Sequence, residues 1–156
     1  MIKRTLFALA VATSIISNGE NVISGNTIRE NVMQEVVVVK TGLNTDEIDI
    51  LAQLTMAEAE GESELGKRLV IDTVLNRIDS DDFPNDLNGV IFQKGQFSCI
   101  GNGRFKKCHA TDEVRNLIRE EILDRRDDRV LYFRTNRYSY GTPICKEGHH
   151  YFSGKD

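Results

Sequence analysis

The chain has 156 residues, of which 40% are hydrophobic and 28% are charged, and its formal net charge is −4. This length and balance are typical of a single globular domain. An acidic chain lacks the basic surface of a nucleic-acid-binding protein, so we expect no nucleic-acid partner.

The N-terminal segment has the pattern of a secretory signal peptide. A basic start at residues 1–4 precedes an apolar run at residues 6–16, which is too short for a comfortable transmembrane span. Ser17 and Gly19 are small enough for a cleavage site, and an uncleaved anchor is the alternative. We therefore expect residues 1–19 to be a signal peptide, with the protein exported to the periplasm or secreted. Membrane contact would then be limited to this segment.

Residues 20–44 are predicted to be a leader or linker, because they are polar apart from four consecutive valines. The valine run at 36–39 is β-branched throughout, so it forms either a short edge strand or part of that leader. Residues 45–156 are predicted to be the folded domain.

Two helices open this domain. Asn44 and Glu47 have the spacing of a capping box, and Gly61 is a natural stop for the helix that they begin. Ser63 starts a second helix, whose predicted buried side includes Leu65. The second helix ends near residues 79–82.

The rest of the domain is predicted to be helical with a small β element. Asn85 caps a short third helix, residues 94–107 form a glycine-containing loop, and Thr111 caps a fourth helix. Residues 130–133 and 150–152 are strand candidates because they are rich in aromatic and β-branched residues. The predicted fold class is therefore mainly α with a small β element (α+β).

Three carboxylates lie at the end of the first helix. At about 100° per residue, Glu58 projects between Leu51 and Leu54 on the apolar arc, whereas Glu60 falls on the polar side. Burial favours the protonated form of a carboxyl group, and a general acid must hold a proton. The alternative is a structural ion pair between Glu58 and an arginine such as Arg68 or Arg77.

The chain has three cysteines, an odd number, so at most one intramolecular disulfide can form. Cys99 and Cys108 flank a glycine-rich loop and are the predicted pair in an oxidising compartment, with Cys145 free. No CxxC or HExxH spacing supports a metal site, and we expect none.

Several motifs follow one another in a characteristic order. They are Glu58-Ala59-Glu60-Gly61-Glu62, Gly66, Val74-Leu75-Asn76-Arg77, Phe83-Pro84, Val90-Ile91, Gln96-Phe97-Ser98, Leu131-Tyr132-Phe133 and Gly148-His149-His150-Tyr151-Phe152. As a set they resemble the SleB/CwlJ family of spore-cortex-lytic cell wall hydrolases. The resemblance covers roughly residues 46–153. It implies a lysozyme-like fold with a helical core like that of lytic transglycosylases.

The same resemblance implies an enzyme that acts on peptidoglycan and makes Glu58 its catalytic acid. Lytic transglycosylases of this kind need one carboxylate and no metal or cofactor. Two features depart from the family pattern: Glu60 stands where many relatives carry arginine, and His149 precedes His150, which matches the motif. We expect a monomer that cleaves the β-1,4 bond between N-acetylmuramic acid and N-acetylglucosamine.

The supporting residues of the site are less sharply predicted. Glu62 is either a second catalytic carboxylate or, as we favour, a group that orients the loop or caps the next helix. Gln96 and Ser98 carry donors and acceptors suited to acetamido sugars. Substrate contacts are also predicted for Tyr138, Tyr140 and His150, although a structural role is favoured for His150.

The sequence is also compatible with three alternative functions. A muramidase would cleave the same bond with water. A non-catalytic peptidoglycan-binding envelope protein would bind sacculi without releasing fragments. A zinc amidase would use His109, His149 or His150 as ligands.

Overall fold

The computed structural model describes residues 29, 31–33, 35, 36, 42–138 and 140–156. The predicted signal peptide lies outside these residues, as does most of the predicted leader. Val36 is helical rather than part of an edge strand, while the remaining valines of that run lie outside the described residues. None of the described helices is both long and apolar enough to cross a bilayer.

Two 15-residue helices, α1 (Thr45–Ala59) and α2 (Glu64–Ile78), form the centre of the fold. The predicted capping box is confirmed, since Asn44 and Glu47 each accept the other's backbone N–H. Ser63 caps α2 by accepting the N–H of Gly66 at 3.1 Å. Leu65 is 45% exposed, so its predicted place on the buried side of α2 is wrong.

Three further helices follow: α3 (Leu87–Phe92), α4 (Ser98–Gly101) and α5 (Asp112–Leu123). A single 3-10 turn, Phe105–Lys107, lies between α4 and α5. The cap of α3 is Asp86 rather than the predicted Asn85, because the Asp86 side chain accepts the N–H of Gly89. The region expected to be a loop thus contains a short helix and a 3-10 turn.

A three-stranded antiparallel sheet completes the domain. Its strands are β1 (Val130–Thr135), β2 (Thr142–Glu147) and β3 (His150–Gly154), in the order β1-β3-β2. Strand β3 is therefore central, and β2 is an edge strand that the sequence analysis did not predict. The predicted α+β class is confirmed.

The main hydrophobic core lies between α1, α2, α3 and α5, and a smaller cluster joins α2 to the sheet. Asn76 fixes β1 against the end of α2, since its Nδ2 donates to the carbonyls of Asp127 and Val130, each at 2.9 Å. Arg77 Nε likewise donates a hydrogen bond to the carbonyl of Leu131, on β1, at 2.8 Å. Through these contacts Asn76 and Arg77 anchor the end of α2 to β1.

A buried polar cluster joins α2 to α5. Arg68 Nη1 donates to Glu121 at 2.6 Å, and the Glu121 side chain is fully buried. Asp72 is also fully buried, and its Oδ2 accepts the N–H of Asp127 at 3.0 Å. Asp72 thus lies beside Glu121 in the interior while Arg68 binds Glu121, which makes the protonation of these two acids important for stability.

Candidate active site

Glu58 lies on the last turn of α1, at the edge of the core. Leu51 and Leu54 are fully buried, whereas Glu58 is half-buried. Its Oε1 accepts a hydrogen bond from the backbone N–H of Cys99, near the start of α4, at 3.3 Å. The carboxyl group is therefore both held by the protein and partly open to solvent, as a group that reacts with a substrate must be.

The side chain of Cys99 also faces Glu58. Burial, together with a hydrogen bond to Glu58 and the negative charge of that carboxylate, raises the pKa of the Cys99 thiol. Cys99 is only 2% exposed. It is therefore a protonated thiol beside the carboxyl group rather than a reactive thiolate.

All three cysteines are free thiols in the structure. Cys108 is half-buried and packs against the hydrophobic cluster that contains Cys99. The predicted bridge between these two is not formed here, which fits a Cys99 thiol that is buried and turned toward Glu58. The bridge stays a prediction for the oxidised protein.

The ion-pair alternative for Glu58 is not supported. Arg68 is bound to Glu121 and to two further glutamates, and Arg77 stacks on the ring of Phe97 at 5.3 Å. Burial lowers the pKa of Arg77 to about 10, although Tyr132 raises it in part. Within the described part of the chain, no lysine, arginine or histidine forms an ion pair with Glu58.

Glu60 lies on the polar side of the helix end, as predicted. It is exposed, and its Oε2 accepts a hydrogen bond from Arg104 Nη2 at 3.1 Å. Both side chains are more than half exposed, so the pair contributes little to stability. Glu60 is thus a matched comparison for Glu58, two residues away and in solvent.

Glu62 lies beyond the end of α1 and is bound by the turn between β2 and β3. Its Oε2 accepts the backbone N–H of His149 at 3.2 Å, and its Oε1 lies 2.8 Å from His149 Nδ1. Burial on its own would raise the pKa of Glu62, but these hydrogen bonds and the nearby histidines lower it overall. Helix α2 is capped by Ser63 instead, so Glu62 orients the strand turn.

A second contact joins the same two segments. Ser63 Oγ donates to Glu147 Oε1 at 2.6 Å, next to the contact between Glu62 and His149. Gly148 has φ +53°, and a Cβ atom on it would lie 1.6 Å from Glu62 Oε2. Only glycine allows the strand turn to approach this closely. The turn that follows Glu58 is therefore fixed by the tip of the sheet.

His150 lies inside the protein, 4% exposed, between the rings of Phe133 and Phe152. Burial lowers its pKa, although the charges of Glu62 and Glu58 raise it in part. Its Nδ1 has no hydrogen-bond partner among the described residues. This burial favours the structural role over the predicted substrate contact.

Gln96 and Ser98 are exposed on the segment that leads into α4. Ser98 directly precedes Cys99, whose N–H binds Glu58. The structure therefore places this segment beside the candidate acid, where the two side chains are open to a ligand.

Tyr138 and Tyr140 lie on the connection between β1 and β2. Tyr138 is 37% exposed and packs edge-on against Tyr151, with ring centroids 5.1 Å apart. Tyr140 is 61% exposed and contacts Tyr132 at 5.7 Å. These ring contacts connect both tyrosines to the sheet rather than to the Glu58 segment. Their predicted role in substrate binding stays a prediction.

The family model described as Cell Wall Hydrolase matches residues 61–153, more than half of the chain. This protein belongs to the cell wall hydrolase family. The match begins just after Glu58, so it includes Glu62 and the strand turn but not the candidate acid itself.

Relatives of this cell wall hydrolase include two spore cortex-lytic enzymes. That of Bacillus subtilis is 30% identical over 118 residues, covering 71% of this chain and 38% of that protein. That of Bacillus cereus is 34% identical over 83 residues, covering 52% of this chain and 32% of that protein. This chain therefore spans about a third of the length of these relatives.

The fold is also shared with solved structures. The catalytic domain of the germination-specific lytic transglycosylase SleB from Bacillus anthracis aligns with a TM-score of 0.62 and 26% identity. That alignment covers 72% of this chain and 97% of the other. The catalytic domain of Bacillus cereus SleB gives the same TM-score at 24% identity. The α+β fold of this cell wall hydrolase is thus that of SleB catalytic domains.

Two residues of the site were missed by sequence reasoning. Cys99 was considered only as a disulfide candidate, and His149 only as a neighbour of the motif histidine and as a zinc ligand in the amidase alternative. A buried cysteine next to a Gln-Phe-Ser motif gives no sign in sequence that it faces a carboxylate. Adjacent histidines after a glycine do suggest a strand turn, but the pattern does not say which acid the turn meets.

Proposed function

We propose that this protein is an exported enzyme that cleaves peptidoglycan glycan strands by a lytic transglycosylase mechanism. The bond is the β-1,4 linkage between N-acetylmuramic acid and N-acetylglucosamine. Family membership and the names of the relatives support the substrate. The observation that carries the mechanism is Glu58, a half-buried carboxyl group that is held by a backbone N–H and free of ion pairs among the described residues.

Glu58 acts first as the general acid and then as the general base. It donates its proton to the glycosidic oxygen as the bond from muramic C1 to that oxygen breaks. The N-acetyl group of the substrate stabilises the positive charge at C1. The Glu58 carboxylate then removes the proton from the muramic C6 hydroxyl, whose oxygen bonds to C1. The product is a 1,6-anhydro ring, and Glu58 is protonated again.

The position of Glu62 supports a mechanism with one carboxylate. Its side chain is 9% exposed, and both of its oxygens contact His149. A nucleophile or general base needs an oxygen that can approach the substrate or a water molecule. Glu62 instead holds the strand turn in place, so Glu58 is left as the group that transfers protons.

The test is the replacement of Glu58 by glutamine. Glu58→Gln should remain folded, because the amide is nearly isosteric and still accepts the Cys99 N–H. Cleavage of purified sacculi should fall by roughly 10²–10⁴-fold or more, since glutamine has no proton to transfer. Glu60→Gln is the matched control, because Glu60 is exposed and paired only with Arg104, and it should retain near-normal activity.

Mass spectra of the soluble products separate the remaining possibilities. A lytic transglycosylase releases anhydro-muramic ends, which are lighter by one water than the ends that a muramidase releases. A binding protein retains sacculi and releases nothing. Cleavage by Glu58→Gln at a rate close to wild type would refute both the site and the mechanism.

A further inference from the structure

A cavity of about 460 Å³ lies at the end of the sheet away from Glu58. It is lined by the end of α2 and by the paired strand residues Thr142 and Gly154. His150, whose pKa responds to the charges of Glu58 and Glu62, lies at the opposite end of β3. The cavity is therefore separate from the candidate active site, and its size is within the range of small-ligand sites.

The walls of the cavity carry charges of both signs. Arg125, Arg129 and Lys155 supply three cations, while Asp79 and Asp128 supply two carboxylates. The lining also includes the apolar side chains of Leu131 and Ile144. Uncharged sugars do not need such a lining, and a purely anionic ligand would leave its two acids unmatched. The lining suits a short ligand that carries both ammonium and carboxylate groups.

Two of the cations are available to a ligand. Lys155 Nζ lies 2.6 Å from Asp82, and Arg129 Nη2 lies 2.6 Å from Asp127, but Lys155 and Arg129 are 66% and 69% exposed. Exposed pairs of this kind are weak in water, so a ligand carboxylate can share or replace the protein carboxylate. Arg125 is less available to a ligand, because its side chain is only 20% exposed and forms an ion pair with Asp79.

The cavity and the turn that binds Glu62 lie at the two ends of β3. Four residue steps along β3 separate His150 from Gly154, which is about 13 Å at about 3.3 Å per residue. An extended peptide of about four residues spans about 14 Å. A peptide of that length is therefore long enough to follow β3 from its His150 end, beside the turn that binds Glu62, to the cavity.

We propose that this cavity binds the charged end of the peptide stem that peptidoglycan carries on its muramic acid. The proposal rests on the proposed function, because peptidoglycan is the substrate that supplies the stem. The stem combines free carboxylate and amino groups on a short peptide, which is the chemistry that the lining fits. The cavity then selects strands that still carry stems.

The test uses a double variant, Arg129→Gln with Lys155→Gln, in the full chain. The matched control is Lys67→Gln with Arg119→Gln, which also removes two cations but lies on α2 and α5, outside the cavity lining. A free tetrapeptide stem is titrated into each protein, and the backbone amide NMR shifts of Thr142, Ile144 and Gly154 are followed. The expected result is saturable shifts in wild type and control, with affinity lower by roughly tenfold in the double variant.

Digestion rates separate this proposal from the proposed function. Cleavage of strands that carry stems should slow several-fold in the double variant, while cleavage of strands stripped of their stems should equal that of wild type. Peptide shifts elsewhere than at the cavity, or equal affinity in wild type and double variant, would overturn the proposal even if the enzyme cleaves normally. Shifts at the cavity without any strand cleavage would instead overturn the proposed function and keep the peptide site.

Discussion

Asp72 should make the protein less stable as the pH rises through neutrality. It is fully buried on α2, where it faces the buried Glu121. Burial raises the pKa of Asp72 to about 8, assisted by the charge of Glu121 and opposed in part by the N–H of Asp127. Asp72 therefore holds a proton in the folded protein at neutral pH and releases it in the unfolded chain.

The sign and size of the effect follow from this difference in proton binding. Below about pH 3.8, Asp72 is protonated in both states and contributes no pH dependence. Between about pH 3.8 and 8 only the folded state keeps the proton, so the free energy of unfolding falls by about 1.4 kcal/mol per pH unit. At pH 7 the accumulated loss is roughly 4 kcal/mol.

Asp72→Asn should remove this loss. The asparagine oxygen can accept the Asp127 N–H, and its amide can donate to Glu121 as the protonated acid does. We expect the variant to be more stable than wild type by roughly 2–4 kcal/mol at pH 7, with a much smaller gain near pH 4.

Urea unfolding at several pH values measures this difference. Subtracting wild type from the variant removes the contributions of other groups, such as His150, that are common to both proteins. Asp81→Asn, at an exposed position, is the control for removing one carboxylate outside the buried cluster. If Asp72→Asn were less stable than wild type at pH 7, or its advantage did not grow with pH, Asp72 would have to be ionised in the fold.

Three further outcomes are expected. Gly148→Ala should destabilise the protein by about 1–3 kcal/mol in urea unfolding, because φ is +53° and the new Cβ would meet Glu62; Gly103→Ala, with positive φ but open space, should lose less. Peptide mapping of oxidised protein without reduction should find the Cys99–Cys108 bridge, and any other pairing contradicts it. The predicted signal peptide should activate a reporter that works only outside the cytoplasm, and a silent reporter would exclude export.

The starts of α1, α2 and α5 were predictable because their signals are local. Asn44, Ser63 and Thr111 each accept a backbone N–H three residues further along the chain, so residue type and spacing suffice to locate them. Glu58 could be identified from the sequence for the same reason, since helical spacing alone places it next to Leu51 on the apolar arc. No knowledge of the rest of the fold is needed for either inference.

Contacts between distant segments could not be predicted in the same way. His149 lies 87 residues after Glu62, and nothing near either residue identifies the other as its partner. Strand β2 was missed because it contains Pro143 and is mostly exposed or half-buried, as an edge strand can be. Its pairing with β3 stabilises it as a strand, although its own sequence does not indicate one.

The contact between Glu62 and His149 explains how a small sheet can support the candidate active site at the end of α1. Helix α1 ends at Ala59, and one backbone hydrogen bond, from Glu62 N–H to the Ala59 carbonyl at 3.1 Å, closes the turn that follows. The tip of the sheet also holds that turn, through Glu62 on one side and through Ser63 with Glu147 on the other. Burying part of Glu62 costs free energy, and His149 offsets that cost. Glu62, the last carboxylate of the motif, thus stabilises the turn that follows Glu58, the proposed catalytic acid.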